Sequence, residues 1–128
     1  MTAIEDFPRL NLLVLRSANP AFAVAFYSAV GISFVEEKHG KGPLHFAAML
    51  GSLVLEIYPL KGERATPVRI GFEIPALDRT IETVRNRGAR IIREATDSPW
   101  GRRAVVEDPD GNQVELTAHA SAIVSTTL

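Results

Sequence analysis

Residues 10–15 read Leu-Asn-Leu-Leu-Val-Leu, a short apolar strand that stops at Ser17-Ala18-Asn19-Pro20. Asn19 is a helix N-cap residue and Pro20 suits the first helical position. Phe22, Ala23, Phe26, Tyr27 and Val30 then recur at helical spacing, which predicts a helix closed by Gly31. Apolar runs follow at 33–37, 44–49 and 53–58, separated by His39-Gly40-Lys41-Gly42-Pro43 and Leu50-Gly51-Ser52. They predict three strands joined by turns.

The pattern then restarts. A strand at 68–74 leads through Pro75-Ala76-Leu77-Asp78 into a helix with Leu77, Ile81 and Val84 on one face and Gly88 at its end. Strands follow at 89–94, 103–107 and 113–117. The last two flank Asp108-Pro109-Asp110-Gly111, whose residues suit a tight turn and whose acids need no further role. Laying the halves over each other pairs Leu12 with Arg69, Gly31 with Gly88, Gly51 with Gly111 and Glu56 with Glu115, at offsets of 57 to 60 residues. Each half is therefore a βαβββ unit of an α+β fold, the first over residues 8–60 and the second over 66–118. Neither buries its sheet face alone, so both are expected in a single domain over 1–128. The tail 119–128 carries no strong pattern and is expected to be loosely ordered.

Composition narrows the function classes. Hydrophobic residues make up 46% of the 128 and charged residues 23%, which is globular and not disordered. A formal net charge of −1 and scattered basic residues give no surface for nucleic acid. The absence of cysteine excludes disulfides, thiol catalysis and thiolate metal sites. The N-terminus has no basic n-region and its apolar run is far too short for a bilayer, so a cytoplasmic protein with no membrane association is expected.

Candidate chemistry is sparse. On 113–117, Val114 and Leu116 share one face and Gln113, Glu115 and Thr117 the other. From that alternation Glu115 reads as a solvated strand residue, a metal ligand or a binding-site acid. His45 shares a face with Ala47 and Met49, and reads as a hydrogen-bonded structural residue or a site residue. His39, in a Gly-rich loop, is expected to be solvated, and His119 has no assigned role. Trp100, between Pro99 and Gly101, is either a loop anchor or a stacking wall at a pocket mouth. Arg102 and Arg103 beside it offer one positive group there. No GxGxxG or P-loop cradles a phosphate, and Ser28 and Ser52 lack a triad setting.

With the repeat established, the chain resembles the vicinal oxygen chelate superfamily of glyoxalase I, extradiol dioxygenases and bleomycin-resistance proteins. The resemblance rests on Phe26-Tyr27-Ser28-Ala29-Val30-Gly31-Ile32-Ser33-Phe34, on Leu55-Glu56-Ile57-Tyr58, and on Glu107-Asp108-Pro109-Asp110-Gly111-Asn112-Gln113-Val114-Glu115-Leu116. Pro99-Trp100-Gly101-Arg102 looks most like the bleomycin-resistance branch. The resemblance implies a U-shaped mixed sheet of two modules around a cavity, often in a homodimer. In metal-dependent members four positions line the cavity floor, two on the first strands and two on the last strands of the halves.

Here Glu56 and Glu115 match the last-strand positions, while the first-strand positions fall on Leu12, with Asn11 beside it, and Arg69. Leucine has no lone pair to give, and arginine has no acceptor and repels a cation. Arg69 is expected to pair with one or both glutamates in place of the metal. The resemblance thus implies a small-molecule-binding protein with no metal cofactor, whose ligand contacts are His45, Glu56, Tyr58, Arg69, Trp100 and Glu115. Near-neutral charge points to a smaller ligand than cationic bleomycin. The alternative is a glyoxalase-type lyase, isomerase or dioxygenase, with Glu56 and Glu115 catalytic and holding Zn, Ni, Fe or Mn with help from His45 or Asn11.

Overall fold

The Asn19 side chain accepts a hydrogen bond from the Phe22 amide at 3.2 Å, and Pro20 takes the first turn, so helix α1 (Pro20–Val30) begins where its cap chemistry puts it. It ends at Gly31, whose φ of 113° is left-handed backbone that other residues avoid. The computed structural model describes residues 8–62, 66–99 and 101–119. Trp100 and all of the tail but His119 lie outside the described residues.

Around α1 stand β1 (Leu12–Ser17), β2 (Val35–Glu37), β3 (His45–Leu50) and β4 (Leu53–Pro59). The second half repeats this as β5 (Arg69–Ile74), α2 (Leu77–Asn86), β6 (Arg90–Thr96), β7 (Arg103–Glu107) and β8 (Gln113–Ala118). The chain is therefore α+β, built of two βαβββ units. Each forms a four-stranded mixed sheet, in the orders β1-β4-β3-β2 and β5-β8-β7-β6. In each, the first strand runs parallel to the last, and Leu12 opposite Val54 corresponds to Arg69 opposite Gln113.

Strand alternation sends Leu15, Leu55 and Ile57 in one sheet, and Val114 and Leu116 in the other, into a common core with Ala23, Phe26, Tyr27, Val30, Leu77, Ile81 and Val84 of the helices. Full burial of each large side chain contributes about 1.5–3 kcal/mol. Phe22, which shares the helical spacing of the α1 core residues, is 65% exposed. The buried stripe of α1 runs through Ala23, Phe26, Tyr27 and Val30, and Phe22 falls about 40° outside its Phe26 edge, in the first turn.

The DPDG turn has a larger role than turn formation. Asp108 is buried and accepts hydrogen bonds from the Asp110 and Asn112 amides, from Asn112 Nδ2 and from the Tyr27 hydroxyl of α1. Asp110 accepts from the Ala18 amide at 2.9 Å. Both acids thus tie the second repeat to the first, which the reading of them as turn chemistry alone missed. Tyr27 also sets its ring edge-on to Phe72, with centroids 6.2 Å apart.

This junction joins the two modules of the expected fold. The repeats meet through α1, α2 and the β7–β8 turn, on the helix side of the sheets. The two sheets therefore stay separate, and among the described residues β1 and β5 have no strand on their outer edges. No helix among the described residues is long and apolar enough to cross a membrane.

Candidate functional site on the helix-free faces

Side chains that alternate with the core residues project from the sheet faces away from the helices. On the first sheet they form three rows across the strands. Leu12, Val54 and Met49 make one row, and Val14, Glu56, Ala47 and Val35 the next. The third carries Arg16 opposite Tyr58 and His45 opposite Glu37. Two rows are thus apolar around a single carboxylate, and the third is polar and aromatic. Leu12, Val35 and Met49 are 50%, 61% and 66% exposed, a run of large apolar side chains open on this face. A hollow of about 380 Å³ is lined by Val35, Glu37, Ala47, Met49 and Val54.

His45 anchors the polar row. Its ring is buried, and its Nδ1 lies 3.2 Å from the Pro43 carbonyl oxygen. The ring stacks on Tyr58 at 4.1 Å with an interplanar angle of 8°, and the Arg16 guanidinium lies 5.0 Å from the Tyr58 ring centre. Its Nε2 faces Glu37 Oε1 at 3.3 Å and Glu56 Oε2 at 3.8 Å. Neither carboxylate is aligned as a hydrogen-bond acceptor, so this buried nitrogen has no hydrogen bond. The 3.3 Å separation is thus proximity, because the angle as well as the distance makes a hydrogen bond. His39 Nε2 lies 3.4 Å from the same Glu37 oxygen.

The second sheet carries a different set. Arg69 donates to Glu115 Oε1 at 2.7 Å and to Gln113 Oε1 at 3.0 Å, and Arg103 donates to Glu115 Oε2 at 3.2 Å. Both oxygens of Glu115 are therefore engaged by guanidinium groups. The Arg69 hydrogen bond, opposed by partial burial and reinforced by both positive charges, holds the Glu115 carboxyl below its usual value.

The structure thus brings His45, Tyr58 and Glu56 together on one sheet and Arg69 with Glu115 on the other. Among the described residues no hydrogen bond or ion pair joins the two groups, and Arg69 does not reach Glu56. Trp100 lies outside the described residues, and Arg102 is committed to Asp78 and Asp97. Glu37, His39, Arg16 and Arg103 also stand in these two clusters, a placement that sequence reasoning did not give them. A symmetric hairpin around Lys41 would have placed Glu37 opposite His45 from the sequence alone.

The residues do not fit the family's divalent ion. The four corresponding positions sit on helix-free faces, but Leu12 offers no donor atom and Arg69 places a cation on Glu115. A separate cavity of about 430 Å³ between the helices, lined by Phe22, Phe26, Ala29, Val84, Ala89 and Pro109, contains neither Glu56 nor Glu115.

Comparison with known proteins agrees with this architecture. TnmS3, described as an antibiotic binding protein from Streptomyces sp. CB03234, is 19% identical with a TM-score of 0.68, over 89% of this chain and 98% of that one. TioX from Micromonospora sp. ML1 is 21% identical with a TM-score of 0.67, over 88% and 99%. A glyoxalase-related enzyme from Fulvimarina pelagi is 18% identical with a TM-score of 0.71, over 88% and 89%. At these identities the likeness is one of fold. No curated protein matches the sequence. The sequence pattern of one family spans residues 9–116, nearly the whole repeat region, and the chain belongs to the Glyoxalase/Bleomycin resistance protein/Dioxygenase superfamily.

Proposed function

We propose that this protein is a cytoplasmic homodimer that binds a small, partly aromatic organic molecule on the helix-free faces of its sheets, without the divalent ion of metal-dependent relatives. The observation that carries this reading is the Arg69–Glu115 pair, which sets a guanidinium on the carboxylate a metal would need. The exposed apolar rows of the first sheet supply area for a ligand, and Glu56, Tyr58 and His45 supply polar and stacking groups beside it. Arg69, Glu115 and Trp100 are assigned to the same ligand from the second half. That TnmS3 is described as an antibiotic binding protein supports a ligand of that kind. The apolar surface left uncovered on the first sheet supports association of two chains.

The metal-dependent lyase, isomerase or dioxygenase reading requires Glu115 to release two guanidinium groups before it ligates, and no observation favours it over binding alone. Thermal-shift screening against a panel of aromatic antibiotics, followed by calorimetry, tests the proposal. Saturable binding lost in Met49→Glu, whose fold and melting temperature match the parent, is the expected result. Absence of any saturable binder in the panel, or binders indifferent to Met49→Glu, counts against it. Sedimentation equilibrium checks the dimer separately.

A further inference from the structure

We propose that Glu37, His39 and His45 form a binding site for one divalent transition-metal ion of the zinc class, at the β2–β3 end of the first sheet. The site does not use the family's positions at Leu12, Arg69 and Glu115, and it does not depend on a small-molecule ligand.

His45 carries the inference. With its Nδ1 proton donated to the Pro43 carbonyl, the ring presents the lone pair of Nε2 outward. Such a hydrogen bond to the far nitrogen is the usual support for a metal-bound imidazole, fixing its tautomer and orientation. Stacking on Tyr58 holds the ring plane as well. Two carboxylates stand beside that nitrogen, Glu37 at 3.3 Å and Glu56 at 3.8 Å, and it is buried and has no hydrogen bond. Negative oxygens around a lone pair repel it unless a cation lies between them.

The distances suit a metal ion. Ligand atoms about 2.0–2.1 Å from a tetrahedral zinc stand about 3.3 Å from one another. Glu37 Oε1 lies 3.3 Å from His45 Nε2 and 3.4 Å from His39 Nε2, and the three ligand atoms all fall within 4.8 Å of each other. His39 is exposed in the turn after β2, so the one wide gap closes by movement of a surface side chain. Two imidazoles and a carboxylate are a donor set for zinc, nickel or cobalt, and not for calcium or magnesium. Three protein ligands leave a fourth position for water or a further donor.

The test uses the full chain without a polyhistidine tag, stripped with a chelator and titrated with Zn²⁺ in competition with a chromophoric chelator. One ion per chain is expected, with affinity at least about tenfold weaker in both His39→Ala and Glu37→Gln, because a lost ligand costs no less than a lost supporting contact. Both substitutions fall on surface-reachable side chains, and matching circular dichroism confirms their fold. Glu115→Gln is expected to leave the affinity unchanged. Absence of stoichiometric binding would mean that a proton alone satisfies His45, and overturns the proposal. Binding unchanged in both His39→Ala and Glu37→Gln, or lost in Glu115→Gln, overturns it equally.

Discussion

The Tyr27 hydroxyl donates a 2.6 Å hydrogen bond to Asp108 Oδ2 across the junction of the two repeats. Tyr27 is fully buried on α1, Asp108 is buried in the β7–β8 turn, and 81 residues of chain separate them. A hydrogen bond to a charged acceptor contributes about 1.5–3 kcal/mol. Tyr27→Phe keeps the ring contacts with Phe26 and Phe72, so its destabilisation in urea unfolding is expected to fall in that range. Asp108→Asn, which keeps the shape and removes the charge, should cost a comparable amount. Changes in both within experimental error of zero would show that the junction does not depend on this bond.

Ionisation of the same phenol gives an independent measurement. Burial, then the charge and hydrogen bond of Asp108, push the Tyr27 hydroxyl well above the ordinary tyrosine range. A group whose folded value is raised stabilises the fold fully below its unfolded value, and that stability is lost as pH rises toward the folded value. The chain has two tyrosines. Ultraviolet titration of the folded protein should show one of them remaining protonated past about pH 10 until the chain unfolds. Tyr27→Phe should remove that delayed step.

At the acid end the relevant group is Glu115, whose carboxyl is lowered chiefly by Arg69. A lowered carboxylate stabilises the fold above its unfolded value, and the contribution is lost as pH falls through the folded value. Glu115→Gln should therefore cost less than about 1 kcal/mol at neutral pH, since Arg69 is largely exposed. The gap between parent and variant should close on acidification below the ordinary carboxylate range. Denaturation midpoints measured from pH 7 to pH 3 check this, and a gap that widens on acidification would contradict it.

The two helix-ending glycines should behave alike because the repeat places them alike. Gly31 and Gly88 have φ of 113° and 91°, and a Cβ at either would meet no atom within 4 Å. The cost of alanine there is backbone strain without a clash, about 1–2 kcal/mol at each site. Gly31→Ala and Gly88→Ala should each lower the unfolding free energy by that amount, and the pair should be roughly additive.

Much of the fold was legible along the chain because its cues are local. Asn19-Pro20, Gly31, Gly88 and the period-two runs each specify an element without reference to distant residues, and the echo of the first half by the second sets the βαβββ order. Alternation likewise determined the face of each strand side chain, so Leu55 and Val114 point to the core while Glu56 and Glu115 turn away from it. Which of the outward residues become neighbours is a matter of register and of how one repeat packs on the other. Only the tertiary structure decided that Glu37 stands beside His45, that Arg69 and Arg103 close on Glu115, and that Glu56 belongs to another sheet. The physical reason is the junction itself: the repeats bury α1 and α2 against each other and lock Tyr27 to Asp108, which joins the two halves while their sheets stay unpaired.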